Sequence, residues 1–188
     1  MLLAKAGVAF VVVPTTADED AISASAPTAL ALERARAKAL AAVLPDAQAE
    51  VVVLGADTVV ALGRDLFGKP HDRADAVRIL GRLSGTTHQV ITGHHLVLRV
   101  GGQITAEASG VAVAKVTMRA MSAAEIAAYV DSGESDHRAG AYAIQETGDR
   151  FVVDVQGNFE TVVGLQVATV ARLYRELTDR ALPLQAAP

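Results

Sequence analysis

The chain has 188 residues, a formal net charge of −4 and 51% hydrophobic residues, enough apolar mass for one ordinary domain or two small lobes sharing a core, which excludes disorder. It has no cysteine, so a disulfide frame and a thiolate metal site are both excluded. Its basic residues are scattered, with no polybasic run of the kind that grips a nucleic-acid backbone, although a few lysines or a metal can still hold a small anion.

The opening "MLLAKAGVAFVVVP" has about the apolar length of a signal peptide, but no basic region precedes it and no small-x-small cleavage site follows. It reads instead as a helix end stopped by Gly7, then a strand over "VAFVVVP". No segment approaches the roughly 20 apolar residues that span a bilayer, so a soluble, cytoplasmic protein without membrane contact is expected. Residues 15–27 are turn-like and carry the acidic cluster Asp18, Glu19, Asp20. "TALALERARAKALAAVL", residues 28–44, predicts a helix, and "PDAQAE" predicts a turn. Residues 51–61 predict an apolar strand interrupted by Asp57 and Thr58. "RADAVRILGRLSG" predicts a helix capped by Asp72, with Gly81 inside it. "THQVITGHHLVLRV" and "ITAEASGVAVAKVTMRA" predict two long strands joined by a hairpin at "GGQ". "SAAEIAAYVDSG" predicts a helix with a capping box from Ser122 and Glu125. "RAGAYAIQ" predicts a loop entering a short strand, "DRFVVDVQG" a strand, and "NFETVVGLQVATVARLYREL" a final helix. The order predicts an α/β chain with a mixed twisted sheet flanked by helices.

Asp57 sits where the strand should stay apolar. A charge there costs several kcal/mol unless a metal, a lysine or hydrogen bonds compensate it. It is either a turn cap at the strand's end or a functional carboxylate where α/β folds place ligands. Lys69, beside Pro70, is then its partner or a clamp for phosphate. His88 reads as a packing or hydrogen-bonding residue at a strand entry, not a catalytic base. His94 and His95 are adjacent and point to opposite faces, a poor spacing for a shared metal. Gln145 ends its loop in an amide, which can pair with a base edge or satisfy a strand edge.

Taken together, "LLAKAGVAFVVVPTTADED", "ARAKALAAV", "VVVLGADTVVALGRDLFGKP", "RILGRLSGTTHQVITG", "MSAAEIAAYVDSGE", "RAGAYAIQ" and "GNFETVVGL" resemble the Maf family of nucleoside triphosphate pyrophosphatases. The motifs run from residue 2 to about residue 165 in family order. The resemblance implies the fold shared with the inosine triphosphate pyrophosphatases, a single domain over residues 1–188 with two lobes around a cleft. It implies hydrolysis of a nucleoside triphosphate to the monophosphate and pyrophosphate, with a divalent metal, Mg²⁺ or Mn²⁺. It assigns Asp57 as the base that activates water, Glu19 and Asp57 as metal ligands, and Lys38 and Lys69 as phosphate-neutralising residues. Arg36 is an alternative to Lys38, because the alanine-rich register can be aligned two ways. Thr58 and Gln145 resemble the branch acting on dTTP and UTP, with modified nucleotides as further substrates. A nucleotide is thus the expected partner, with a homodimer as a possible assembly.

The family opens with a strand and a loop of the type "LASxSPRR" directly before "LL", whereas the given sequence starts at that "LL". The expected explanation is a start placed too late in a longer, active protein. The alternative is an N-terminally truncated, weakly active or inactive nucleotide-binding or regulatory protein, in line with the family's link to septum formation. Gln166 stands where the family often has proline, and Arg138 where lysine is usual.

Overall fold

A computed structural model describes residues 2–44, 50–145 and 147–185. The turn expected at "PDAQAE" falls mainly on 45–49, outside the described residues. In chain order the elements are α1 (Leu2–Lys5), α2 (Pro27–Leu40), β1 (Val51–Leu62), β2 (Asp65–Phe67), α3 (Arg73–Leu83), β3 (Thr87–Val100), β4 (Gln103–Met118), α4 (Ala123–Asp131), β5 (Val152–Gln156), α5 (Phe159–Val163) and α6 (Val167–Thr178). The strands hydrogen-bond in the order β2-β1-β3-β4-β5.

The chain divides into two compact units, one of Met1–Asp57, Thr92–Ala112 and Gly164–Pro188, the other of Thr58–Ile91 and Val113–Val163. Strand β1 leaves the first unit after Asp57, β3 re-enters it at Thr92, and β4 leaves it after Ala112. Successive long strands therefore run in opposite directions. The outer pairs β1–β2 and β4–β5 are antiparallel as well. The sheet is antiparallel, not mixed as expected: β3 and β4 are joined by the hairpin at Gly101 and Gly102, both at positive φ, and no long crossover links parallel neighbours.

In the first unit, α2 is built around Ala31, Ala35 and Ala39, one per turn and fully buried. They let the helix backbone lie directly on two glycines of the sheet. A Cβ on Gly55 of β1 would stand 2.1 Å from the Ala35 carbonyl oxygen and 2.7 Å from the Ala39 nitrogen. A Cβ on Gly93 of β3 would stand 2.4 Å from the Ala31 oxygen. Val53 and Val97 pack with Ala39, and Leu173 of α6 packs with Leu96 and Ala108.

The second unit has the larger side chains. Ile79, Leu80 and Leu83 of α3 and Ile126, Tyr129 and Val130 of α4 pack on Val60, Val90, Val116 and Met118 of the strands. Both helices start as the sequence predicts. The Asp72 side chain accepts from the Asp75 N–H at 2.8 Å, and Ser122 and Glu125 form a reciprocal capping box.

Three expectations need correction. "VAFVVVP" is not a strand: Val8 bridges Leu184 and Thr15 bridges Ala42, while Val11 and Val12 between them are 81% and 73% exposed. Apolar residues alone do not make a strand when no neighbour supplies a ladder. "RAGAYAIQ" leads into turns rather than a strand. The final helix is two helices, α5 and α6, broken at Gly164, whose φ of 111° lies outside helical space.

The Gly55 contact yields a test. A methyl group at Gly55 meets backbone atoms that cannot rotate away, so Gly55→Ala should cost about 3 kcal/mol, the upper range for overpacking. Thermal unfolding measures it, and an unchanged melting temperature would mean that α2 is not seated on β1 in this way.

Candidate active site

Along the first part of β1, burial alternates: Val53, Gly55 and Asp57 face inward, and the residues between them are half-buried. Asp57 therefore occupies a core position, on the strand face that carries Gly55, and so on the side covered by α2. It is only 6% exposed. Lys38 precedes Ala39, one of the two alanines seated on Gly55, and its side chain reaches the two residues that follow that glycine. Its Nζ donates to Asp57 Oδ1 at 2.7 Å and to the Ala56 carbonyl at 3.3 Å. The same Nζ stands 3.1 Å from Glu19 Oε2.

One ammonium thus serves two carboxylates. Burial pushes the Asp57 carboxyl above the usual carboxylate range; the hydrogen bond and charge of Lys38 oppose the shift without cancelling it, and the Glu19 charge adds to it. Asp57 Oδ2 is buried and has no hydrogen-bond partner among the described residues. An orphaned carboxylate oxygen beside a second carboxylate fits a hard divalent cation, which prefers such oxygens. No group of three or more His, Cys, Asp or Glu forms a metal cage among the described residues. Two carboxylates match Mg²⁺, which keeps several waters and completes its shell from substrate phosphates.

Arg36 lies two residues from Lys38, about 200° around the helix, and so points elsewhere. Its Nε stands 3.0 Å from Glu107 Oε2, which also receives His95 Nε2 at 2.8 Å. These two bonds hold the Glu107 carboxyl below its usual range. Of the two registers left open by the alanine-rich helix, Lys38 is the residue beside Asp57. His94 turns away from its neighbour, as expected: its Nε2 accepts the Gln166 N–H at 2.9 Å.

Asp57, Lys38 and Glu19 are brought together in the first unit, whereas Thr58, Lys69 and Gln145 belong to the second. Thr58 is half-buried on β1, Lys69 is exposed just after β2, and Gln145 is exposed in a turn. Within that unit, the loop leading to Gln145 is tied to the segments carrying the other two. The Gly140 N–H donates to the carbonyl of Gly68, the residue before Lys69, at 3.0 Å. A Cβ on Gly140 would come within 2.9 Å of Val60 Cγ2, two residues past Thr58.

Two buried hydroxyls, which the sequence reading missed, anchor the same loop. Tyr129 Oη accepts the Ala143 N–H at 3.0 Å, and Tyr142 Oη lies 2.9 Å from His88 Nε2. Their sequence signal is only an aromatic in a small-residue loop and another on an amphipathic helix. His88 is 1% exposed, and burial pushes its pKa down to about 4. It is uncharged at neutral pH and acts in packing and hydrogen bonding, as its position at a strand entry suggested.

The His88 shift has a sign that stability measurements can read. The unfolded chain takes up the proton near pH 6.5 and the folded one only near 4. The stability contributed by neutral His88 is therefore complete above pH 6.5 and is lost as pH falls to about 4. His88→Gln should show a flatter stability profile over that window than the wild type. Parallel profiles in denaturant melts across it would exclude His88 as the titrating group.

Residues 1–177 match the family described as "Maf-like protein". The chain is 39% identical over 176 residues to the dTTP/UTP pyrophosphatase of Aquifex aeolicus, covering 94% of this chain and 88% of that one. It is 41% identical over 179 residues to that of Gloeobacter violaceus, covering 95% and 90%. It is 42% identical over 176 residues to that of Deinococcus radiodurans, covering 93% and 85%. A buried aspartate answered by a helix lysine and a second acid thus stands in a chain that belongs to the Maf-like protein family.

Proposed function

We propose that this chain is a nucleoside triphosphate pyrophosphatase that hydrolyses dTTP and UTP to the monophosphate and pyrophosphate. The observation that carries the reading is Asp57: buried, raised in pKa, with one oxygen held by Lys38 and the other without a partner among the described residues. The relatives' names, dTTP/UTP pyrophosphatase, supply the substrate class.

The reaction adds water across the α–β phosphoanhydride. The water oxygen bonds to phosphorus, the bridging P–O bond breaks, and pyrophosphate leaves. Asp57 takes the water's proton, a task suited to a carboxyl whose affinity for protons burial has increased. Lys38 fixes the carboxylate through Oδ1, which leaves Oδ2 to face the reacting water or a cation. Glu19 and Asp57 would hold Mg²⁺ or Mn²⁺. When bound, such a cation neutralises phosphate charge and acidifies water. Lys69 neutralises phosphate, and Thr58 with Gln145 reads the pyrimidine. In the same proposal the chain works as one domain in the cytoplasm, assembled as a homodimer.

Asp57→Asn keeps the shape of the side chain and removes the base. Release of pyrophosphate from dTTP and UTP with Mg²⁺ should fall by at least about 10²-fold. The fold should survive, because Glu19 still answers Lys38. Near wild-type turnover would remove Asp57 from the mechanism.

Gln145→Glu tests recognition of the base. It replaces an amide donor with an acceptor and leaves one base atom unpaired in the complex. That costs ~1–3 kcal/mol, enough to shift the rates on dTTP and UTP relative to GTP by about tenfold. Equal relative rates in variant and wild type would count against Gln145 as a base reader.

A further inference from the structure

Helix α2 carries another cation on the face of Lys38. Arg34 lies four residues before it, one turn away on the same side. Arg34 and Lys38 each precede an alanine, Ala35 and Ala39, and both alanines touch Gly55, two residues before Asp57. The helix seating that delivers Lys38 to Asp57 therefore brings Arg34 to the same stretch of β1. The Arg34 charge also acts on the Asp57 carboxyl, drawing its pKa down.

Arg34 is half-buried, and its Nε is wholly buried with no hydrogen-bond partner among the described residues. Nearby arginines of the same unit have acceptors: Arg36 holds Glu107, and Arg99, whose Nε is likewise buried without a partner among the described residues, donates through Nη2 to the Leu40 carbonyl at 2.6 Å. Leaving a buried N–H without an acceptor is costly, and an arginine fork is shaped for phosphate or carboxylate. Asp57 and Glu19 carry two negative charges, Lys38 and Arg34 two positive ones. A divalent cation on the carboxylates would leave the two side-chain cations in excess, facing a polyanion. Lys38 already has oxygen partners in this state, and the Arg34 Nε has none among the described residues.

We infer that Arg34 is a phosphate-binding residue of this site, donating its guanidinium hydrogens to oxygens of the triphosphate and of the pyrophosphate product. The inference rests on the pyrophosphatase reading and extends it to a half-buried residue one turn before Lys38 on α2. Arg34 contributes affinity rather than stability, because no acceptor for its Nε stands among the described residues.

Binding of inorganic pyrophosphate in the presence of Mg²⁺, followed by calorimetry, tests this without requiring turnover. Arg34→Gln should weaken binding about tenfold or more, the loss of a charge-assisted fork, with a melting temperature equal to the wild type or higher. Arg34→Lys, which restores charge but not the fork, should recover part of the affinity. The same variants should raise KM for dTTP more than they lower kcat. Unchanged pyrophosphate affinity in Arg34→Gln overturns the inference, as does a loss that only parallels a fall in melting temperature. Wild-type protein that binds pyrophosphate through Arg34 but does not hydrolyse dTTP or UTP would sink the proposed activity and leave the phosphate site standing. Wild-type protein that does not bind pyrophosphate removes the Arg34 site, whatever its activity.

Discussion

A carboxylate placed at a core position of a strand has to be answered by a charge from outside that strand. Asp57 has few ways to obtain one. It cannot turn to solvent, because its face of β1 is the face that α2 covers. Its answer has to come through the helix, and a lysine side chain reaches only if the helix lies close. The alanines of α2 and the glycines of β1 and β3 provide that closeness by leaving nothing larger than a methyl group at the contact. The packing is thus less a store of hydrophobic energy than a spacer. It places an ammonium 2.7 Å from one carboxylate oxygen and leaves the other without a hydrogen bond among the described residues.

This arrangement is deliberately incomplete as a stability device. A buried ion pair rarely repays the cost of desolvating its partners. Here that cost is visible in the raised pKa of Asp57 and is increased by Glu19, a second negative charge on the same lysine. Lys38 is the cation in contact with both acids, and Arg34 acts on Asp57 through its charge alone.

The long elements were legible in the sequence because their signals are local. The capping residues Asp72 and Ser122 with Glu125, the hairpin glycines 101 and 102, and the apolar run of β1 each act over a few residues. Asp57, too, announced itself as a charge out of pattern. What the sequence left open depends on pairing at a distance. The apolar residues 8–14 lacked a strand partner, and the direction of the sheet depended on which strands became neighbours. The choice between Arg36 and Lys38 turned on helix phase, a matter of 200° that a run of alanines does not fix on its own. Tyr129 and Tyr142 escaped notice because a buried hydroxyl looks like an ordinary core aromatic until its acceptor or donor is known.

Gln166 shows how such distant pairing can hide in a minor sequence change. Read along the chain, a glutamine where the resemblance leads one to expect proline is a neutral exchange at the start of α6. In the fold its backbone N–H is the donor to His94 Nε2, a ring nitrogen on a fully buried strand residue. Proline has no N–H to give, so that ring would have to find another donor or go without. The side chain is occupied as well, its Oε1 accepting the Thr169 hydroxyl within the first turn of the helix. Burial holds His94 below its usual pKa, against a backbone hydrogen bond at Gly110 that raises it, and so favours the neutral ring that accepts this bond. The helix start and the strand histidine are therefore matched to each other. The exchange is conservative in character only when the backbone is left out of account.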